Sequence, residues 1–317
     1  MDGAWVYLVT GGCGFVGERI VELLSRQDYI KEVRVFDSVA REEIEKLSTV
    51  TRGDIRDLSA LLAALQGVHV VLHTAALVDY RDTVPFGDMR AVNVGGTENV
   101  LRACCALSIP SLLYTSSVAA VGPNTSCEPL NGGTLRTCII RANTIYGEKA
   151  AFLSLHGVLP ALVTGDFTCQ LRNVAWMHVL AARHLQLQPD LLAGQIYYCY
   201  DDTPSKKSFL VRHQLLSSAD PSVRLGSHIP YWKMWLMIQL HRVIRAILPP
   251  FWRPQPFLSV ALLNTIVTSF SFQTDKASRH FGYKPLFTWQ ESRLRTAQWL
   301  RAAAGSLGPP QLHEKKN

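Results

Sequence analysis

The chain has 317 residues, 48% of them hydrophobic, which is enough for one large domain or for one domain with a smaller companion. Its net charge of +7 comes from Lys and Arg residues that are dispersed rather than interleaved with aromatics, so we expect no nucleic-acid partner. The seven cysteines are odd in number and include no CxxC pair, so we expect neither disulfides nor a metal site, and a reducing compartment fits best.

The first part of the chain alternates apolar strands with amphipathic helices. Strands are predicted at 5–9, 33–37, 49–53, 68–74 and 111–115, and helices around 20–24, 40–47, 58–65 and 90–106. This alternation is typical of a doubly wound α/β fold, in which helices cover both faces of a parallel sheet.

The alternation breaks between 118 and 135. Gly, Pro and Asn punctuate this stretch, and no ten residues of it carry a helical apolar stripe. The next strand is predicted to begin near Arg136, so one βαβ unit has lost its helix. Beyond it we predict a helix at 174–187, a strand at 194–200 and a helix at 206–217.

The rhythm changes again after residue 217, where prolines, tryptophans and apolar helical stretches dominate. We therefore divide the chain into a nucleotide-binding domain at 1–217 and a smaller domain at 218–304. Residues 305–317 are rich in Gly, Pro and Lys and are predicted to form a disordered tail.

A glycine-rich loop, Thr10–Gly17, lies between the first strand and the first helix. In such a loop the first glycine permits a tight turn, the second lets the backbone approach a pyrophosphate, and the third lets helix and strand pack closely. The helix N-terminus adds amide donors and the positive end of its dipole. The residues assigned to this Rossmann-type phosphate site are Gly11, Gly12, Gly14, Phe15, Val16 and Gly17.

Two acidic residues follow the second and third strands. Asp37 lies 20 residues after Gly17, where a carboxylate accepts hydrogen bonds from ribose hydroxyls and repels a 2′-phosphate, which favours NAD over NADP. The alternative is a strand-end Asp that caps the next turn. Asp54 and Ile55 close the third strand, where adenine usually rests, and here the alternative is an ordinary turn Asp.

The small residues Thr74, Ala75 and Ala76 end the fourth strand and let the backbone approach the cofactor. Asn93 falls in the middle of the following helix, on an apolar face. An amide there needs a buried partner, for which we predict a carbonyl of a neighbouring strand.

These motifs resemble the extended short-chain dehydrogenase/reductases and, within them, the 3β-hydroxysteroid dehydrogenase/Δ5-Δ4 isomerase family. The resemblance runs from one end of the chain to the other. It rests on residues 8–17, 33–37, 53–55, 73–79, 93–100, 113–117, 121–124, 131–138, 145–148, 173–178, 197–204 and 281–289.

The resemblance implies an oxidoreductase and isomerase of steroid metabolism. It would oxidise the 3β-hydroxyl of a Δ5-steroid with NAD and then move the double bond, at the membrane of the endoplasmic reticulum or of mitochondria. In the family a Tyr phenolate takes the hydroxyl proton, a Lys four residues later lowers the pKa of that phenol, and a Ser hydrogen-bonds the substrate oxygen. Ser117 matches the Ser.

The Tyr and Lys of the family have no counterpart here. No Tyr of this sequence is followed by Lys four residues later; Tyr146 comes closest, with Lys149 at three. The missing pair belongs between Leu130 and Asn131, so the first domain is interpreted as shortened near 125–135, and again near 149–172. We expect impaired catalysis, and the alternatives are a non-catalytic NAD- or steroid-binding pseudoenzyme or a truncated variant. The resemblance also implies a homodimer, whose interface in the family commonly includes the missing helix.

An apolar segment at 230–252 carries aromatic side chains and is interrupted by Lys233, His241, Arg242 and Arg245. Its uninterrupted stretches are shorter than the roughly 20 residues that a membrane span needs. We interpret it as an interfacial helix of a substrate-binding and membrane-associating domain, with a helix buried in that domain as the alternative.

Overall fold

The computed structural model describes residues 5–79, 84–118, 135–142, 144–150, 168–204, 208–224, 229–248, 260, 263–264 and 274–306. Within them lies a seven-stranded parallel sheet in the order β3-β2-β1-β4-β5-β6-β9, and a two-stranded ladder of β7 and β8. The strands are β1 (Trp5–Thr10), β2 (Ile30–Asp37), β3 (Thr49–Arg52), β4 (Val70–His73), β5 (Ser111–Ser117), β6 (Arg136–Ala142), β7 (Thr144–Tyr146), β8 (Thr168–Gln170) and β9 (Gln195–Tyr198).

The predicted doubly wound Rossmann-type fold is confirmed, with a helical C-terminal region beside the sheet. The helices are α1 (Gly17–Leu24), α2 (Glu42–Glu45), α3 (Leu58–Ala64), α4 (Phe86–Arg90), α5 (Thr97–Ala106), α6 (Leu171–Leu187), α7 (Pro189–Leu192), α8 (Ser208–Ala219), α9 (Tyr231–Ile247), α10 (Lys276–Phe281) and α11 (Trp289–Ser306).

The order of strands reverses beside β1, which pairs with β2 on one side and with β4 on the other. In open parallel sheets, ligands bind in the crevice outside the carboxyl ends of the strands at such a switch point. The glycine-rich loop follows β1, so the fold puts the predicted phosphate site at this crevice.

The helix predicted at 90–106 is not uniform. Between α4 and α5 lies a π-helical stretch, Ala91–Gly96, which we call the π segment. A Cβ on Gly96 would lie 2.4 Å from Cδ1 of Ile55, so only glycine allows the helix to lie this close to the residues after β3. Wide turns of this kind are rare and often mark functional sites.

Helix α6 begins three residues earlier than predicted because Gln170 caps it. The side-chain oxygen of Gln170 accepts hydrogen bonds from the backbone N–H groups of Arg172 (2.6 Å) and Asn173 (3.1 Å). Capping by a side-chain acceptor satisfies donors that have no partner within the helix. Gln is an uncommon cap, which explains why the sequence placed this helix start too late.

Two hydrophobic clusters lie on the two faces of the sheet. One packs α1 and α6 against side chains such as Tyr7 and Val9 of β1, and the other packs α3 and α5 against Val6 and Leu8 of the same strand. Strand β1 is therefore buried on both faces, as expected for the centre of a parallel sheet.

Contacts cross the boundary placed at residue 217. Helix α11 packs against α8, and α10 packs against α6 and β9. The hydroxyl of Tyr283 donates to the carbonyl oxygens of Asn173 (3.2 Å) and Tyr200 (3.0 Å). The division at 217 stays a prediction, and the C-terminal helices are joined to the sheet domain through buried polar contacts.

Helix α9 coincides with most of the apolar segment predicted at 230–252. Of its side chains only Met234 and Ile238 are buried. In the part of the chain that the structure describes, no helix has the length and apolar character needed to cross a membrane.

Several predictions fall outside the described residues. The lost helix between β5 and β6 concerns 119–134, and the second shortening concerns mainly 151–167. Of the predicted tail, residues 307–317 also fall outside, and α11 continues to Ser306, two residues into the segment predicted to be disordered.

Candidate functional site

The glycine loop, Thr10–Gly17, is shaped by close backbone contacts. Gly11 has a φ of +71°, and a Cβ on it would lie 2.7 Å from the Cα of Ala75. A Cβ on Gly17 would lie 2.1 Å from the carbonyl oxygen of Gly11. Only glycine fits either position, because a side chain would meet backbone that cannot move aside.

The other loop residues differ in their surroundings. A Cβ on Gly12 would lie 2.6 Å from a methyl of Val35, so the loop lies against β2. A Cβ on Gly14 would meet only the carbonyl oxygen of Gly11 at 3.1 Å, so its outer side is open. Phe15 and Val16 are half-buried and lead into α1. The open backbone at Gly14 leaves room for a phosphate group at the start of the helix.

Asp37 joins the glycine loop to the end of β2. One carboxylate oxygen accepts from the backbone N–H of Cys13 at 2.9 Å, and the other accepts from that of Val39 at 3.1 Å. The side chain is half-buried, so part of it faces solvent. Asp37 therefore caps its own turn and anchors the loop, and its remaining lone pairs are available to ribose hydroxyls.

Asp54 follows β3 and is engaged differently. Its carboxylate accepts from the Arg56 guanidinium at 2.6 to 3.0 Å and from the backbone N–H of Arg56 at 2.9 Å. The hydrogen bond from Arg56 lowers the pKa of this carboxyl group. This geometry is that of a turn Asp, the alternative raised for Asp54. Ile55 beside it is buried under Gly96.

The β4 loop (residues 74–79) is held by hydrogen bonds to its own neighbourhood. The Thr74 hydroxyl donates to the carbonyl oxygen of Thr10 at 2.7 Å. Ala75 lies against Gly11, and Ala76 is exposed. The small side chains at 75 and 76 leave the approach to the loop backbone open.

The side chain of Asn93, in the π segment, binds the backbone of the same loop. Its side-chain oxygen accepts from the backbone N–H of Leu77 at 2.7 Å, and its nitrogen donates to the carbonyl oxygen of Leu77 at 2.8 Å. The carbonyl partner expected for Asn93 is thus present, but it belongs to the β4 loop rather than to a strand.

Three polar residues beside this site make contacts that the sequence did not predict. The Asn99 amide donates to the carbonyl oxygens of Ile55 (3.2 Å) and Arg56 (2.8 Å). Thr10 and Thr97 both contact the buried imidazole of His73. Pairs more than 20 residues apart in sequence leave no periodic signal; the only hint is the polar character of His73 in an apolar strand.

Ser117 ends β5 and is exposed. It lies opposite Ala142 in the parallel ladder and three residues beyond Tyr114, the partner of His73. The hydroxyl therefore stands farther out along the carboxyl edge than the ends of β1 and β4. This position suits contact with a substrate that lies over a bound dinucleotide.

Tyr146 and Lys149 do not form a substitute for the missing pair. The Tyr146 phenol is buried and lies 2.8 Å from the hydroxyl of Thr203. Burial raises the pKa of Tyr146, which opposes formation of a phenolate. The Lys149 ammonium instead donates to Glu18 at 2.9 and 3.1 Å, away from that phenol.

The parallel sheet, the glycine loop after β1 and the crevice at the switch point define a Rossmann fold of the short-chain dehydrogenase/reductase type. Solved structures agree. The chain is similar to "gox2253" with a TM-score of 0.70 and 21% identity over 94% of this chain and 98% of that one. It is also similar to the UDP-glucose 4-epimerase of Thermus thermophilus in complex with NAD, with a TM-score of 0.63 and 19% identity over 94% and 99% of the chains.

The chain belongs to the 3-beta hydroxysteroid dehydrogenase/isomerase family, whose family model matches residues 8–133 and 127–225. The 3 beta-hydroxysteroid dehydrogenase type 7 of Mus musculus is 36% identical over 359 residues, covering 95% of this chain and 97% of the mouse protein. The rat protein of that name is 38% identical over 331 residues, covering 96% and 97%. Both alignments are longer than this chain, so the relatives have residues that it lacks. The two matched segments overlap at 127–133, a stretch that contains Leu130 and Asn131.

Proposed function

We propose that this chain binds NAD at the carboxyl edge of β1, β2 and β4 and is an NAD-dependent 3β-hydroxy-Δ5-steroid dehydrogenase/isomerase by lineage, with strongly impaired catalysis. The observation that carries the proposal is a contrast. The glycine loop and Asp37 form one hydrogen-bonded unit, with Cys13 N–H donating to Asp37 at 2.9 Å. The sequence nevertheless contains no Tyr with Lys four residues later.

The residues that would hold NAD have separate tasks. The N–H groups at the start of α1 would hold the pyrophosphate, and the open backbone at Gly14 would let it come close. The remaining lone pairs of Asp37 would accept from the adenosine ribose, and its charge would repel a 2′-phosphate. When bound, NAD accepts the hydride that leaves the substrate carbon.

The proton of the substrate hydroxyl has no such acceptor. Ser117 can donate a hydrogen bond to the substrate oxygen, but a Ser hydroxyl is a poor base at neutral pH. Tyr146 is buried and Lys149 is paired with Glu18, so both are engaged elsewhere and neither is available as the family's pair would be. General acid–base catalysis contributes about 10²- to 10⁴-fold, which sets the size of the expected loss.

The test is a parallel measurement on the full chain and on the mouse relative. Calorimetry measures NAD binding, and NADH formation is followed with a 3β-hydroxy-Δ5-steroid as substrate. We expect both proteins to bind NAD and only the mouse protein to turn over. Turnover by this chain at the rate of the relative would contradict the impairment, and absence of NAD binding would contradict the cofactor site.

The genome can separate an impaired enzyme from a truncated variant. The two cases differ in the genomic sequence between the codons for Leu130 and Asn131. An in-frame exon that encodes Tyr-x-x-x-Lys there would mark this chain as a shortened variant of an active enzyme. A continuous coding sequence would mark it as a pseudoenzyme.

We also propose that α9 lies on the membrane of the endoplasmic reticulum, where an apolar steroid would be available. Trp232, Leu236 and Leu240 are 60%, 54% and 59% exposed. Lys233 and Arg242 lie on the same helix, which suits an anionic lipid surface.

Flotation with vesicles of phosphatidylcholine and phosphatidylserine tests this attachment. We expect the change of Trp232, Leu236 and Leu240 to Ser to release the chain from the vesicles, whereas Gln239→Ala on the same helix leaves binding unchanged. Equal flotation of both variants would contradict attachment through α9.

Sedimentation of the same samples without lipid would show whether the family's homodimer forms.

A further inference from the structure

The glycine loop, the β4 loop and helix α5 meet at the carboxyl edge of the sheet, and the buried His73 contacts two of them directly. His73 ends β4, and its ring contacts the hydroxyl of Thr10 at 2.6 Å on one side and the hydroxyl of Thr97 at 2.9 Å on the other. Thr10 is the residue before Gly11, so the contact reaches the start of the glycine loop. Thr97 is the first residue of α5.

The direction of each hydrogen bond follows from the proton count. The Thr97 hydroxyl has one proton, which it donates to the carbonyl oxygen of Asn93 at 2.8 Å. Thr97 must therefore accept from Nε2–H of His73. A neutral imidazole then has a bare Nδ1, which accepts from the Thr10 hydroxyl. Burial lowers the pKa of His73 to about 4, so the neutral ring is the form present near pH 7.

The chain of hydrogen bonds continues into the β4 loop. Asn93 accepts from Thr97 through its carbonyl group and binds both backbone groups of Leu77 through its side chain. Leu77 lies two residues after Ala75, which touches Gly11. The polar chain thus leaves the glycine loop at Thr10, crosses β4 and α5, and returns to the same crevice at the β4 loop.

We infer that His73 is a positioning residue for cofactor binding, and that the relay Thr10–His73–Thr97–Asn93 fixes the glycine loop and the β4 loop relative to one helix. The inference rests on the proposed binding of NAD. Asn93 in the π segment and Thr97 at the start of α5 bind two different partners, the Leu77 backbone and the His73 ring. Asn99, farther along the same helix, holds the backbone after β3 in a similar way.

This arrangement makes the loops ready for a ligand before it arrives. A pre-formed site spends less binding free energy on ordering loops, so loss of the relay should weaken binding of NAD. The His73 ring also stacks on Tyr114, with centroids 5.5 Å apart. A phenylalanine at 73 retains that stacking and loses both hydrogen bonds, which separates the relay from packing.

The test compares a matched pair at position 97 with a change at 73. Thr97→Val keeps the shape and removes the hydroxyl, and Thr97→Ser keeps the hydroxyl. We expect NAD affinity to fall by about tenfold in Thr97→Val and His73→Phe, because each loses two hydrogen bonds of the relay, and by less than about twofold in Thr97→Ser. The control Leu192→Ala, at the buried position of α7, should lower thermal stability and leave NAD affinity unchanged.

Two readouts need no cofactor. Nitrogen chemical shifts should show a bare Nδ1 and a protonated Nε2 on His73 in the free protein, and exchange of the Leu77 amide proton should quicken in Thr97→Val but not in Thr97→Ser. Unchanged NAD affinity in Thr97→Val, equal losses in Val and Ser, or the opposite tautomer would overturn the inference. If the unmodified chain fails to bind NAD, the proposed function fails, whereas the tautomer and the Leu77 exchange still decide whether the relay exists.

Discussion

Strand β5 separates two regions of the sheet that differ in how completely their side chains are buried. On the side toward β1, both faces of the sheet are closed: Tyr7 and Val9 are buried on one face, and Val6 and Leu8 on the other. On the side toward β6 and β9, the described side chains of the two faces are buried to different extents. Cys138 and Ile140 are fully buried there, whereas Ile139 between them is half-buried.

The strand register shows which side chains share the less buried face with Ile139. Ile139 is paired with Tyr114 of β5 and with Ile196 of β9, so the three side chains share a face. Ile196 and Tyr198 of β9 are half-buried as well. The sequence predicts a lost helix between β5 and β6, the strands that carry Tyr114 and Ile139. One deletion can therefore remove the catalytic pair and the cover of the sheet together, and leave the nucleotide side untouched.

The largest expected effect comes from restoring the segment. We predict that inserting the mouse relative's aligned residues between Leu130 and Asn131 raises the rate of NADH formation by about 10²- to 10⁴-fold, because a proton acceptor returns. NADH formation with a 3β-hydroxy-Δ5-steroid is the measurement. The control is the same insertion with its Tyr changed to Phe, which should stay inactive. Equal rates with and without the insertion would contradict the claim that the missing segment accounts for the loss of catalysis.

Two adjacent isoleucines report on the two faces of β6. Ile140→Ala should lower the free energy of unfolding by roughly 2–5 kcal/mol, the usual cost of a cavity in a closed core. Ile139→Ala should cost about 1 kcal/mol or less, since its side chain already contacts solvent and leaves little cavity. Urea unfolding of both variants measures the difference. Equal losses would show that the second face is as well packed as the first.

One buried histidine from each region links stability to pH. Burial lowers the pKa values of His73 and His178 to about 4, from 6.5 in the unfolded chain. As pH falls below 6.5 the unfolded state takes up these protons first, so stability is full above that pH and declines down to about pH 4. Near pH 4, each of these histidines can lower the free energy of unfolding by up to roughly 3 kcal/mol.

Urea midpoints measured between pH 7 and pH 4 test this decline. The variants His73→Phe and His178→Phe should each flatten the slope in this range, and the double variant should flatten it further. A midpoint that stays constant down to pH 4 would contradict the burial of both rings. A slope that changes only with His178→Phe would place the pH sensitivity on the side of α6 alone.

The smallest expected effect compares the two predicted carboxylates. Asp37→Ala should weaken NAD binding by about 10- to 100-fold, because the loop loses its anchor and the ribose its acceptor. It should also reduce the preference for NAD over NADP. Asp54→Ala should change affinity by less than about threefold, since Arg56 already occupies that carboxylate. Calorimetric titrations with NAD and NADP measure these affinities. A larger loss of NAD affinity in Asp54→Ala than in Asp37→Ala would contradict the assignment of Asp37 as the ribose-binding carboxylate.

The sequence was most informative where the signal is local. Short apolar runs located the strands, and the glycine spacing located the loop, because both depend on neighbouring residues alone. The prediction of Arg136 as the start of β6 and of Asp37 as the end of β2 matches the structure for this reason.

Other features depend on residues that are distant in the chain. The π segment ends at Gly96, which packs against Ile55, 41 residues earlier in the sequence. The contacts of Thr97 with His73, and of Asn99 with the backbone after β3, likewise appear only after the sheet is assembled. No periodicity reports such contacts, so the scaffold behind the predicted site had to come from the structure.

Calorimetry of NAD titrated into the full chain in the presence of a 3β-hydroxy-Δ5-steroid measures binding and turnover together. We predict a binding heat that saturates at one NAD per chain, without the sustained reaction heat that the mouse relative gives under the same conditions. Sustained heat from this chain would contradict the loss of catalysis. The absence of any binding heat would contradict the nucleotide site built on the glycine loop and Asp37.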